Sequence, residues 1–178
     1  MEPEILENQF IELYNGESSS IYRFCLLRTS DKEVAVDIMQ DTFMRAWDSV
    51  SKVGHGWEEI RNKRAFLFAI ARNCIIDWYR KKKSLSLESL AEESGMEIET
   101  FMDTVPREKL EMEHEAKFLM EKIAGIDSIY QQAVYFRFVE GLGPKEIAEI
   151  LGESENVVSV RINRGIKQLR KFAGYDEK

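Results

Sequence analysis

Cysteine and histidine are scarce in this chain, with two of each in 178 residues. Cys25 and Cys74 are isolated, with no CxxC and no histidine at metal-ligand spacing, so they read as two buried apolar thiols. His55 and His114 each stand alone in a polar context and read as surface residues. HExxH, GxxxxGKS/T and GxSxG stretches are all missing. The expectation is therefore a protein that is not an enzyme and holds no metal and no cofactor. No apolar run approaches the roughly 20 residues that span a bilayer. The start, MEPEILENQF, is acidic and lacks the basic and apolar segments of a secretory signal. A cytoplasmic location without membrane insertion is expected. Strict two-residue alternation flanked by hairpin signals is also missing, which argues against strands.

What is abundant is charge, at 32% of residues, in a composition that is 44% hydrophobic and therefore globular. The net charge of -7 hides a pattern. From Arg61 to Lys83, eight Lys and Arg stand against one acid, Asp77, for a local +7. From Ser84 to Glu121, eleven acids stand against three bases, for -8. From Glu155 to Lys171, five bases stand against one acid, for +4. Screening over about 8 Å at physiological salt lets each patch act locally. Two basic surfaces separated by an acidic middle point to a polyanionic partner.

The chain reads as helical nearly throughout. Ser30–Glu33 has the form of a capping box and opens a periodic segment that runs to about Val50. Ala35, Met39, Thr42, Phe43, Ala46 and Val50 fall on one side of it, and Asp37, Gln40, Asp41, Met44 and Asp48 on the other. A second helix, over roughly Lys63–Lys82, is apolar on most sides, as suits a helix packed among others. It mixes Phe66, Phe68, Trp78 and Tyr79 with Arg72, Asn73 and the cations Arg80, Lys81, Lys82 and Lys83. Exposed aromatics beside a cationic track suit single-stranded nucleic acid, although Phe66, Phe68 and Trp78 read better as core. The acidic segment that follows has weak periodicity and Ser, Gly and Pro punctuation, and reads as a linker.

Beyond it, Ile126–Val139 reads as an apolar helix broken by Gly141 and Gly143. Pro144 suits the first position of the next helix, which turns Ile147, Ala148 and Leu151 inward. Gly152 supplies a left-handed stop and Ser154 a cap for the helix after it. Two helices across so short a turn have the spacing of a helix-turn-helix. On the last helix Val158, Ile162, Gly165 and Leu169 share one narrow face. The opposite face carries Asn156, Ser159, Val160, Asn163, Lys167 and Arg170, with Arg161 and Arg164 flanking it. Asn and Arg pair with base edges, whereas Ser, Lys and further Arg hold phosphates. Because a recognition helix reads bases mainly from its N-terminal part, Asn156 and Ser159, with Glu155 and Val160 beside them, are the specificity candidates. Arg161, Arg164 and Lys167 are the phosphate candidates.

Three blocks, AVDIMQDTFMRAW, RAFLFAIARNCIIDWYRKKK and VEGLGPKEIAEILGESENVVSVRINRGIKQLRK, together resemble regions two and four of the small bacterial sigma factors of the extracytoplasmic-function (ECF) group, in the sigma-70 family. The resemblance covers nearly the whole chain in the right order. It implies an all-α protein of two small helical domains: a region 2 bundle over 1–83, a flexible acidic linker over 84–115 and a region 4 helix-turn-helix domain over 116–178. It implies core RNA polymerase as a partner, through the β′ clamp helices and the β flap. Asp37, Gln40, Asp41 and Met44 would dock on the clamp. Trp57, Arg72, Asn73, Arg80, Lys81, Lys82 and Lys83 would melt and read the −10 element of promoter DNA, with Asn73 at the position that holds a flipped base and Trp57 and His55 as walls of its pocket. Asn156, Ser159, Val160, Arg161, Asn163, Arg164 and Lys167 would meet the −35 element. An anti-sigma factor is a further implied partner.

Three positions depart from the family's usual pattern: Ala69 stands for a common Arg, Glu153 for a common apolar residue, and Ser159 where Lys is frequent. A two-domain helix-turn-helix regulator acting without polymerase would share the tail. It would not need an acidic helix face beside an aromatic, basic helix. A pure protein-interaction module is opposed by the two basic helices.

Overall fold

A computed structural model of the chain describes residues 3–53, 56–87 and 122–172. Most of the acidic segment, and both histidines, lie outside these. The chain divides into two compact units, Met1–Gly95 and Met96–Lys178. Every regular element among the described residues is helical.

The first unit is built from α1 (Pro3–Thr29), α2 (Lys32–Val53), a single 3-10 turn at Trp57–Glu59 and α3 (Lys63–Leu87). Its core joins Ile21, Phe24, Cys25 and Leu27 of α1 to Ile38, Phe43 and Ala46 of α2 and to Leu67, Phe68, Ala71 and Ile75 of α3. The six residues read as the inner face of α2 are all buried. The start of α2 differs from the capping box expected at Ser30. Ser30 has φ of 55° and its amide donates to the Leu26 carbonyl at 2.8 Å, so it closes α1. The cap falls to Asp31, whose Oδ1 accepts from the amides of Glu33 (2.9 Å) and Val34 (3.2 Å). Asn62 caps α3 in the same way, accepting from the Ala65 amide at 2.9 Å. α3 runs past Lys82 to Leu87, because lysines favour a helix and do not end one.

The second unit contains α4 (Ser128–Phe138), α5 (Pro144–Leu151) and α6 (Glu155–Phe172). The helix expected from Ile126 begins two residues later, because Ile126 lies in the preceding turn and its carbonyl accepts from Gln131 Nε2 at 2.9 Å. Pro144 takes the first turn of α5, and Glu146 reaches back to accept from the Gly143 amide at 2.5 Å. Gly152 ends α5 at φ of 69°, in the left-handed region where glycine meets no Cβ penalty. Ser154 Oγ then accepts from the Val157 amide at 3.3 Å and opens α6. α6 buries Val158, Ile162 and Gly165. Gly165 sits so close to α4 that a Cβ there would come within 2.4 Å of Val134 Cγ2 and 3.2 Å of Tyr130 Cβ. Asp127 and Gln168 clasp the same two elements: the Asp127 amide donates to Gln168 Oε1 at 2.9 Å, and Gln168 Nε2 donates to Asp127 Oδ2 at 2.6 Å.

Candidate nucleic-acid interface

Packing α6 on α4 and α5 through one narrow stripe leaves the rest of its surface outward. Asn156, Val157, Val160, Asn163, Arg164 and Lys167 are exposed, and Ser159 is partly covered. Val160 lies opposite the buried stripe, at the outermost line of the helix, and is 46% exposed. A β-branched apolar side chain there is surrounded by amides and cations, a mixture suited to a groove that offers hydrogen-bonding edges, thymine methyls and flanking phosphates. Arg161 is different. Its Nη2 lies 2.8 Å from Glu153 Oε1, and the two side chains are only 22% and 26% exposed. Sequence placed Arg161 beside the cations free to meet phosphate; the structure ties it to the turn before α6.

On α3, Asn73, Arg80, Lys81 and Lys82 are exposed and Arg72 is partly covered; the side chain of Lys83 lies outside the described residues. The aromatics of this helix divide. Phe68 is fully buried and meets Phe24 edge-on at 5.5 Å. Trp78 packs edge-on against Tyr79 at 4.8 Å, with the Lys82 ammonium over its ring at 5.0 Å. Tyr79 donates its hydroxyl to the Arg28 carbonyl and so fixes the far end of α3 on the end of α1. Trp57 corrects an expectation. It is fully buried, against Phe10 at 5.9 Å, and Phe10 in turn meets Trp47 at 5.1 Å. A side chain with no exposed surface cannot wall a pocket for an incoming base; Trp57 anchors its turn to α1 instead. His55, the other proposed wall, lies outside the described residues.

The outward face of α2 carries Asp37, Gln40 and Asp48, all exposed, Asp41, half-exposed, and Met44, 69% exposed. Arg45 sits within this acidic group. It pairs with Asp41 at 2.9 Å and with Asp77 of α3 at 3.2 Å, so the acidic face and the basic helix share one ion-paired residue. No spacing rule identifies that link, since Asp77 and Arg45 belong to different helices.

The interior offers little reactive chemistry. Burial pushes the Cys25 thiol up to about 12 and the Cys74 thiol to about 11, so neither is a thiolate near neutral pH. Burial also lowers the Arg28 guanidinium well below its ordinary value. Among the described residues no group of three or more His, Cys, Asp or Glu is placed to hold a metal ion, and no helix is long and apolar enough to cross a membrane.

Comparison with known protein families matches the chain in two places. Residues 13–85 match the family description Sigma-70 region 2, and residues 119–169 match Sigma-70, region 4. The ECF RNA polymerase sigma factor SigX of Bacillus subtilis is 29% identical over 93% of this chain and 84% of its own length. The ECF RNA polymerase sigma factor SigM of the same organism is 29% identical over 93% of this chain and 98% of its own. Among solved structures, the sigma factor RpoE of Bartonella quintana, crystallised with the anti-sigma factor NepR, superposes with a TM-score of 0.65 at 19% identity, covering 95% of this chain and 99% of that one. CnrH, solved with the cytosolic domain of CnrY, gives 0.63 at 20% identity, covering 96% and 91%.

Proposed function

This chain belongs to the ECF group of the sigma-70 family, the sigma factors that bind core RNA polymerase and direct transcription initiation, and we propose how its surfaces divide that work. The observation that carries the division is α6. It is held on the unit by a buried stripe and turns Asn156, Val160, Asn163, Arg164 and Lys167 outward, behind a Gly143–Pro144 entry and a Gly152 turn. Placed in the major groove of a −35 element, Asn156 and Ser159 would address base edges. Val160 would meet a thymine methyl, and Asn163, Arg164 and Lys167 would hold phosphates. The exposed face of α3, with Asn73 near its middle and Arg80, Lys81 and Lys82 toward its end, would take the melted −10 strand and its backbone. The Asp37, Gln40, Asp41 and Met44 face of α2 would dock on the β′ clamp helices, and the second unit on the β flap.

None of these roles requires the chain to make or break a bond, so it acts as a non-enzymatic initiation factor in the cytoplasm, beside the polymerase. An anti-sigma factor covering these faces would be its off-switch. A regulator working without polymerase would leave the match to region 2 without a purpose. The test is transcription by core polymerase reconstituted with the purified chain on a promoter library with fork-junction templates. Start-site-specific transcripts that depend on the chain support the reading. Specific duplex binding by the chain alone, with no transcripts, would overturn it.

A further inference from the structure

Arg161 is a cation of α6 that is already engaged. Its guanidinium and the Glu153 carboxylate lie 2.8 Å apart and are each about three-quarters covered, so water and salt screen them less than they would a rim pair. The Glu153 backbone is fixed as well, its amide donating to the Ala148 carbonyl at 3.1 Å just after the left-handed Gly152. The other carboxylate oxygen, Oε2, is buried and takes no hydrogen-bond partner among the described residues. A DNA phosphate reaching for Arg161 would meet a guanidinium whose charge Glu153 already balances, and drawing it away would leave Glu153 without its cation in that covered position. Such an exchange swaps one anion for another and yields no net gain in neutralised charge.

We infer that Glu153 is a positioning residue that withholds Arg161 from the DNA backbone, lowering the affinity of α6 for DNA of every sequence and leaving discrimination to the outward side chains. This rests on reading α6 as the DNA-contacting helix. Weakening the sequence-independent term while base contacts are kept lowers affinity and salt dependence on every sequence alike and leaves the ratio of specific to non-specific binding to the base contacts.

The test measures closed-complex affinity of the reconstituted holoenzyme on a promoter fragment across a series of salt concentrations, with the full-length chain as wild type, Glu153→Gln, Glu153→Gln with Arg161→Ala, and Arg164→Ala. Freed by Glu153→Gln, Arg161 gains a phosphate. Binding tightens on matched and mismatched −35 sequences alike, and the slope of log affinity against log salt steepens by about 0.9. The double variant returns to the wild-type slope, because the pair as a whole contacts no phosphate. If Glu153→Gln leaves the slope unchanged and the double variant is shallower than wild type by about 0.9, Arg161 already holds a phosphate and the inference is wrong. Arg164→Ala separates the two levels. It flattens the slope if α6 lies on DNA, and an unchanged slope overturns the reading of α6 itself and the inference with it.

Discussion

Gly165→Ala tests whether the close approach of α6 to α4 sets the stability of the second unit. Two effects oppose each other. Replacing a mid-helix glycine with alanine favours the helix by about 1 kcal/mol. The added methyl, however, would lie 2.4 Å from Val134 Cγ2, 3.2 Å from Tyr130 Cβ and 3.4 Å from Ile126 Cδ1. Carbon atoms prefer about 3.5–4.0 Å, so the valine contact must open by more than an ångström. Val134 is fully buried, and a valine in a helix has essentially one χ1 rotamer, so the methyl cannot swing aside. Tyr130 Cβ moves only with its backbone. The helices must part, and overpacking of this kind costs about 1–3 kcal/mol. The clash falls at the upper end of that range, which leaves a net loss of about 1–2 kcal/mol, or roughly 5–15 °C in the melting temperature of a unit this small. The sequence provides its own control. All three tryptophans, Trp47, Trp57 and Trp78, lie in the first unit. Tryptophan fluorescence should therefore melt as in wild type while the far-UV circular dichroism transition of the second unit moves down. In a Val134→Ala background the cost of Gly165→Ala should shrink, because the methyl it strikes is gone. Equal or higher stability of Gly165→Ala, or an undiminished cost in that background, would refute the argument that contact with Val134 decides the outcome.

Three further outcomes follow from the exposed faces. Asp37→Lys with Met44→Ala should weaken binding to core polymerase in a pull-down titration while changing stability by no more than about 0.5 kcal/mol, since both side chains are exposed; Asp41 is the poorer choice, because changing it also disturbs Arg45 and, through it, Asp77. Asn73→Ala should impair promoter melting, read by permanganate reactivity of thymines, by about 1–3 kcal/mol while leaving closed-complex binding intact; normal melting in the variant would remove Asn73 from the base-capturing role. Replacing thymine with uracil at one −35 position should weaken wild-type binding by about 0.8 kcal/mol, the worth of one buried methyl, and should have no effect on a Val160→Ala variant; equal sensitivity in both proteins would mean that Val160 meets no thymine methyl.

The elements that were legible are those whose sequence repeats the geometry of burial. α2 and α6 each carry one apolar stripe at helical spacing, and every position assigned to the inner face of α2 is buried. The punctuation of the helix-turn-helix was legible for the same local reason, since Pro144, Gly152 and Ser154 act through their own backbone or the next turn. α1 was not delimited, because Gly16 and three serines interrupt its pattern and Ile5, Ile11 and Tyr14 stay exposed. The misreadings at the site share one cause. Periodicity reports which side of a helix is covered and is silent on which groups from elsewhere cover it. Trp57 sits in a loop where an aromatic could face solvent or core, and Phe10, far away in sequence, decides for core. Ser30 and Asp31 can both cap a helix, and the end of α1 claims the serine.

Arg161 makes the same point at closer range. On a wheel it lies at the border between the buried stripe and the outward face, where its role is undetermined. Glu153, the residue before the Ser154 cap, decides it. Once a carboxylate occupies that position and the left-handed turn at Gly152 has fixed its direction, the nearest cation of α6 is drawn to it. One acid in a turn thereby pairs with a cation of the helix, without altering a single residue of its outward face. With Arg161 withheld as proposed, counting Lys and Arg along α6 overstates by one the charge it would offer DNA. Of the five bases between Glu155 and Lys171, those whose removal should flatten the salt dependence are to be sought among the exposed ones, Arg164 and Lys167 first.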